Sequence, residues 1–211
     1  MRVLITGASG FVGRHLVEHL LKIQPELELH GTVFLPDAGL PLSVIWHTVD
    51  LRDAAAAFDL IERIRPEQIY HLAGQAFVPQ SFESPWDTLE TNIRSQLNLI
   101  LACLSQSQPI KPRFLITASA EIYGAAKVMP ITEETPLQPS SPYSVSKAAQ
   151  DLLGLQYYLS HNFPTFRVRA FNHFGPGQSD RFVAPAFAMQ IARIEAGLQS
   201  PVLEVGDLTA R

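Results

Sequence analysis

The chain begins with a short apolar run, Val3-Leu4-Ile5-Thr6, that leads directly into three glycines spaced three apart, Gly7, Gly10 and Gly13. A helical stretch follows over 11–23, with Leu16, Leu20 and Ile23 on one stripe. Strand, glycine turn and helix in that order constrain the fold more than any other feature. The pattern predicts a buried strand that turns sharply into a helix packed back on its sheet. Glycines let the backbone turn tightly and come close to a pyrophosphate. The helix N-terminus, with its N–H groups and dipole, favours the anion. A lone glycine-rich turn is weak evidence, but the flanking strand and helix strengthen it.

Strand–helix alternation continues along the chain. Strands are predicted at 3–6, 28–34, 44–49, 68–73, 113–118, 165–171 and 201–205. Helices are predicted at 11–23, 53–64, 84–106, 143–160 and 183–196. This alternation implies an α/β fold, a Rossmann-type doubly wound parallel sheet with helices on both faces. Residues 128–142 carry Pro130, Pro136, Pro139 and Pro142 with few apolar residues, and read as an extended loop.

A second feature carries chemistry. Tyr143 and Lys147 stand four apart at the start of a predicted helix and point from one face. A free phenol titrates near pH ~10. A lysine cation one turn away is expected to lower that value, so the pair can act as a general acid/base on a hydroxyl or carbonyl.

With 211 residues the chain can bury one good α/β core. Its net charge of −4 gives no reason to expect nucleic acid or an acidic membrane surface. No apolar run approaches the ~18 residues of a membrane span, and the N-terminus lacks a signal-peptide layout, so a cytoplasmic location is expected. Cys103 is the sole cysteine, which rules out an internal disulfide. It lies in the apolar run Leu97–Leu104 and reads as a core residue rather than a redox group. No metal site is expected.

Together, the N-terminal glycine turn and the YxxxK pair resemble the extended short-chain dehydrogenase/reductase family. The likeness runs the length of the chain and implies NADP or NAD as cofactor. In that resemblance Gly7, Gly10, Phe11, Val12 and Gly13 hold the diphosphate. Asp50-Leu51 matches the contact to the adenine end, and His71-Leu72-Ala73-Gly74 the turn passing beside the cofactor, through Leu72, Ala73 and Gly74. Ser119 completes a catalytic set with Tyr143 and Lys147, the last two also touching the cofactor. The second strand ends Val33-Phe34-Leu35, with neither the acid of an NAD site nor the arginine of an NADP site, although Asp37 and Arg14 could reach in.

The likeness is nearest to the branch acting on GDP-linked sugars, the GDP-mannose 4,6-dehydratases and GDP-4-keto-6-deoxymannose reductases. Glu121, two residues after Ser119, matches the dehydratase carboxylate that acts on sugar carbons 5 and 6, although it could also be a solvated loop residue. Residues 75–85 resemble the dehydratase, with Gln75 and Ser81 facing the sugar. Residues 171–178, Phe-Asn-His-Phe-Gly-Pro-Gly-Gln, resemble the reductase. Asn172 is expected to bind the diphosphate, with a strand-end cap as its structural alternative, and Phe182-Val183 to cradle the base.

Dehydration is placed first and reduction second. Another nucleotide-sugar epimerase or dehydratase, or a non-enzymatic dinucleotide-binding protein, are further alternatives. One NAD(P)-binding domain is expected over 1–211, with 172–211 beginning the sugar-nucleotide part. Relatives continue past a stretch like Gly206–Arg211 into a closing lobe, so the C-terminal substrate lobe is expected to be largely absent. A homodimer or higher homo-oligomer is expected through the long helices, with Leu152, Leu155 and Leu159 facing either a partner or the core.

Overall fold

The computed structural model describes residues 1–35, 40–106 and 111–206. It divides into two compact units, Met1–Phe171 and Asn172–Arg211.

In the first unit six parallel strands form one sheet: β1 (Arg2–Thr6), β2 (Glu28–Val33), β3 (Ile45–Thr48), β4 (Gln68–His71), β5 (Arg113–Ser119) and β6 (Thr165–Ala170). Their order is β3-β2-β1-β4-β5-β6. The order reverses between β1 and β4, and ligands of such sheets bind outside the carboxyl ends at that switch. Two turns meet there, the glycine turn after β1 and residues 72–74 after β4.

Alternation along β1 shows why the sheet is covered twice. Val3 and Ile5 enter one core with Val17, Leu20, Leu29 and Val44. Leu4 enters the other with Ile61, Ile69, Leu99, Phe114 and Phe163. A strand apolar on both faces needs helices on both sides. Helix α1 (Phe11–Ile23) covers one face, and α2 (Ala54–Ile64) and α5 (Ser95–Ser105) the other. Cys103 lies in this second core, where burial pushes its thiol up to about 12.

The predicted helix over 84–106 is broken in character. It runs as α4 (Pro85–Leu89), a π turn (Glu90–Arg94) and α5. A short helix before it, α3 (Val78–Glu83), and a 3-10 turn, Ala120–Tyr123, escaped the periodicity because both are too brief to show one. Helix α6 (Pro142–His161) has a sharply defined start. Ser141 caps it, its own N–H donates to Ser144 Oγ at 2.8 Å, and Pro142 occupies the first turn. This places Tyr143 in the first turn and Lys147 directly above it. On α6, Leu152 and Leu159 are exposed and Leu155 is half-buried.

The second unit holds α7 (Val183–Glu195), capped by Phe182. The strand expected at 201–205 does not form. Side-chain amides satisfy this backbone instead of a sheet ladder: Gln190 donates to Glu204 O at 3.0 Å and accepts from Glu204 N at 2.7 Å. Gln199 donates to Val202 O at 2.9 Å. Among the described residues no helix is long and apolar enough to cross a membrane, and no three His, Cys, Asp or Glu side chains cluster to hold a metal.

Candidate active site

The glycine turn passes two geometric tests for a dinucleotide cradle. Gly7 has φ +67°, which favours glycine, and a methyl group there would lie 2.8 Å from the Ala73 backbone. A methyl on Gly13 would lie 2.3 Å from Gly7 O and 2.6 Å from Ala8 Cα. No other residue lets helix, turn and the 72–74 segment approach so closely. Gly10 caps α1 without a side chain, and the first turn holds no carboxylate to oppose an anion. Phe11 and Val12 form that turn, and Phe11 packs edge-on against His15 at 5.2 Å.

At the end of β3, Asp50 accepts from the Arg52 guanidinium at 2.8–3.1 Å, which holds its carboxyl below the usual range. Leu51 is buried, and its carbonyl accepts from Asn98 at 2.9 Å. Arg52 also reaches Asp87 at 3.2 Å, and its guanidinium lies 5.6 Å over the Phe34 ring. A cation therefore arrives beside the end of β2 from the next strand. Reading along β2 alone missed it. Arg14 donates to Ser9 O at 2.7 Å, and Asp37 lies outside the described residues.

Ser119, Tyr143 and Lys147 come together at the carboxyl end of β5, each buried. The Ser119 hydroxyl acts on the Tyr143 phenol, drawing its pKa down against the effect of burial. The same serine accepts from Glu121 N at 3.2 Å, which fixes the 3-10 turn. Glu121 is exposed, and its charge acts on the phenol. Lys147 Nζ donates to Thr117 O at 2.8 Å and lies 5.9 Å from the centre of the Tyr143 ring.

The electrostatics correct one expectation. Lys147 was expected to lower the phenol pKa. Instead Tyr143 titrates above its ordinary value, because burial outweighs the effect of Ser119 and Glu121 adds to the rise. Lys147 is aimed at a β5 carbonyl, and burial lowers its own pKa to about 8. In this state the phenol is a proton donor. Beneath the lysine, His71 is fully buried and bonded to Thr6 Oγ1 at 2.8 Å.

Gln75 and Ser81 lie further along the same side. The Gln75 amide donates to Phe77 O and Thr88 Oγ1, both at 3.0 Å, and Ser81 is buried with its hydroxyl on Val78 O at 2.6 Å. Both side chains thus brace α3. Sequence reasoning missed Asn92, fully buried on the π turn. It accepts from Gln75 N at 2.8 Å and donates to Gln75 O at 3.0 Å and Ser146 Oγ at 2.8 Å. It ties the turn after Gly74 to α6. Its neighbours Glu90, Thr91, Arg94, Ser95 and Gln96 are polar too, so nothing in the local sequence singled it out. Asn172, Phe182 and Val183 belong to the second unit, where Asn172 is exposed.

The chain is similar to several known proteins. The GDP-6-deoxy-D-mannose reductase of Pseudomonas aeruginosa is 39% identical over 209 residues, covering 98% of this chain and 64% of that protein. The GDP-mannose 4,6-dehydratase sdnI of Sordaria araneosa is 32% identical, covering 98% of this chain and 39% of that protein. A solved structure of RMD from Pseudomonas aeruginosa complexed with NADPH superposes with a TM-score of 0.82 at 38% identity, covering 98% of this chain and 65% of that one. The chain thus spans under two thirds of the length of these relatives. The family model described as GDP-mannose 4,6 dehydratase matches residues 4–211, and with its six-strand parallel sheet and its Ser119, Tyr143 and Lys147 the chain belongs to that family.

Proposed function

We propose that this chain is the cofactor-binding and catalytic part of an NAD(P)-dependent enzyme acting on a GDP-linked sugar, reducing a 4-keto-6-deoxy sugar at carbon 4. The observation that carries this reading is the grouping of the buried Tyr143 phenol with buried Ser119 and Lys147 at the carboxyl end of β5, Lys147 Nζ lying 5.9 Å from the centre of the Tyr143 ring. A bound reduced nicotinamide supplies the hydride that carbon 4 receives. Tyr143 gives its proton to the oxygen on that carbon as the carbonyl becomes a hydroxyl. Ser119 donates a hydrogen bond to the same oxygen and holds it beside the phenol. Lys147 supplies positive charge one turn away. The Gly7–Gly13 turn and the N-terminus of α1 bind the diphosphate, with Leu72, Ala73 and Gly74 beside it. Asp50 and Leu51 meet the adenine end. NADP(H) is put before NAD(H), on the NADPH of the Pseudomonas structure and on Arg52 beside Phe34.

In this reading Asn172 binds the sugar nucleotide's diphosphate, and Phe182 and Val183 its base. Gln75 and Ser81 shape the sugar side by bracing α3. The greater identity to the reductase, 39% against 32%, puts reduction ahead of the dehydration that sequence motifs placed first. Dehydration stays as the second reading because Glu121 carries a carboxylate close enough to act on the phenol. There it would take the proton from carbon 5 and protonate the leaving hydroxyl at carbon 6, the nicotinamide supplying the hydride chemistry that takes hydride from carbon 4 and returns it to carbon 6. A homo-oligomeric, cytoplasmic enzyme completes the proposal.

The test supplies the full chain with NADPH and GDP-4-keto-6-deoxymannose, and separately with GDP-mannose and catalytic NADP. Cofactor oxidation in the first supports the reductase. A 4-keto-6-deoxy product without net cofactor change in the second moves the assignment to the dehydratase. No reaction in either sinks both.

A further inference from the structure

Asp151 is fully buried on α6, two turns beyond Tyr143 and one beyond Lys147, so all three share a face. Two arginines from β6 meet it. Arg167 donates to Oδ2 at 2.7 Å. Arg169 donates to Oδ1 at 3.0 Å and to Oδ2 at 2.9 Å. One arginine already balances one carboxylate, and the second is the more deeply buried of the two, with 15% of its side chain exposed against 29%. Withdrawing an extra guanidinium from water is costly, so its presence calls for a reason beyond charge balance.

Its remaining contacts supply that reason. Arg169 Nη1 donates to Tyr123 Oη and to Glu133 O, both at 2.8 Å, and the guanidinium lies 5.4 Å over the Tyr123 ring. Tyr123 ends the 3-10 turn that starts at Ser119 and carries Glu121. Ser119 itself pairs in register with Ala170, the neighbour of Arg169. One planar fork therefore bridges the helix face bearing Tyr143 and Lys147, the turn bearing Ser119 and Glu121, and the loop before α6. Arg167 shares only the first of these.

We infer that Arg169 is a positioning residue, which through Asp151 and Tyr123 sets the distance between the Tyr143 phenol and the Ser119–Glu121 turn. The inference rests on the proposed carbonyl chemistry but not on the choice between reductase and dehydratase. A lysine at 169 keeps a cation for Asp151, yet it cannot span to Tyr123 and Glu133 at once, because an ammonium is a single point and not a fork. Arg167→Lys is the control, since it meets Asp151 without touching the turn.

The experiment compares Arg169→Lys, Tyr123→Phe and Arg167→Lys in the full chain. It measures kcat, KM, NADPH affinity and the carbon-13 NMR resonance of the Tyr143 ring. For Arg169→Lys the expected result is a kcat lower by about 100-fold, the scale of a 1 Å misplacement, with KM and NADPH affinity unchanged. Tyr123→Phe shifts the Tyr143 resonance in the same direction with a smaller loss of kcat, and Arg167→Lys changes neither. The inference is overturned if Arg169→Lys keeps wild-type kcat, if its loss comes without movement of the Tyr143 resonance, or if Arg167→Lys reproduces it. Should the wild type turn over neither sugar nucleotide, the functional reading fails, and the Tyr143 resonance still decides the role of Arg169.

Discussion

His71 makes the stability of this chain fall with acid by an amount that can be worked out. Its ring is fully buried beneath Lys147, and burial, followed by the lysine charge, lowers its pKa to about 3. In the unfolded chain the same ring titrates near pH ~6.5. Between those values the unfolded state binds a proton that the folded state refuses, so stability rises with pH there and is lost as pH falls. The contribution is complete above pH ~6.5 and gone below about 3. From pH 7 to pH 5 the unfolded ring goes from mostly neutral to almost wholly protonated while the folded one stays neutral. That difference amounts to about 2 kcal/mol, and it hardly changes for any folded pKa below ~4.

The assay is urea unfolding at pH 7 and pH 5 for the wild type and for His71→Asn. The variant retains a hydrogen-bonding side chain for Thr6 and cannot titrate. Other histidines, including half-buried His47, are common to both proteins and cancel in the difference. The wild type should lose about 2 kcal/mol more than the variant over this interval. Equal losses, or a His71 NMR titration near pH ~6.5, would refute the reasoning.

Tyr143→Phe should abolish turnover while leaving NADPH binding intact, measured by nicotinamide fluorescence; retained turnover would remove the phenol from the proton path. Gly13→Ala should weaken NADPH binding in the same titration and lower stability by about 1–3 kcal/mol, because its methyl group meets Gly7 O at 2.3 Å. Asn92→Ala leaves the Gln75 backbone and Ser146 without partners, so urea unfolding should show a loss of about 3 kcal/mol. Cys103 should resist a thiol reagent until the chain unfolds, since its thiol is buried and pushed up to about 12; rapid native labelling would contradict its place in the core.

What could be read in the sequence was whatever is encoded locally. The β1–glycine–α1 unit shows its strand, turn and helix in one uninterrupted stretch, and the structure reproduces it nearly residue for residue. Tyr143 and Lys147 share a face because helical geometry demands it. The pKa of that phenol was misjudged, since it depends on burial and on where Lys147 points, and both are settled by β5, far away in sequence. The false strand at 201–205 had strand-like composition, but strand formation needs a partner, and here Gln190 and Gln199 take the backbone groups. Arg167 and Arg169 stand two apart on one strand, and nothing in their sequence distinguishes them. Only the fold shows that Arg169 reaches the turn after β5.

The π turn at Glu90–Arg94 has a consequence for how this helix can change over time. A π turn holds one residue more than the α-helical path requires, so it resets the angular phase of everything beyond it. Thr88 upstream and Asn92 within the turn face the segment after Gly74 and α6; downstream, Leu99, Ile100 and Cys103 face the sheet. Deleting one residue within 90–94 would restore a regular helix and improve its local geometry, yet rotate one of these two faces away by about 100°. The irregularity thus behaves as a locked insertion: simple deletion cannot undo it without detaching either the core or Asn92.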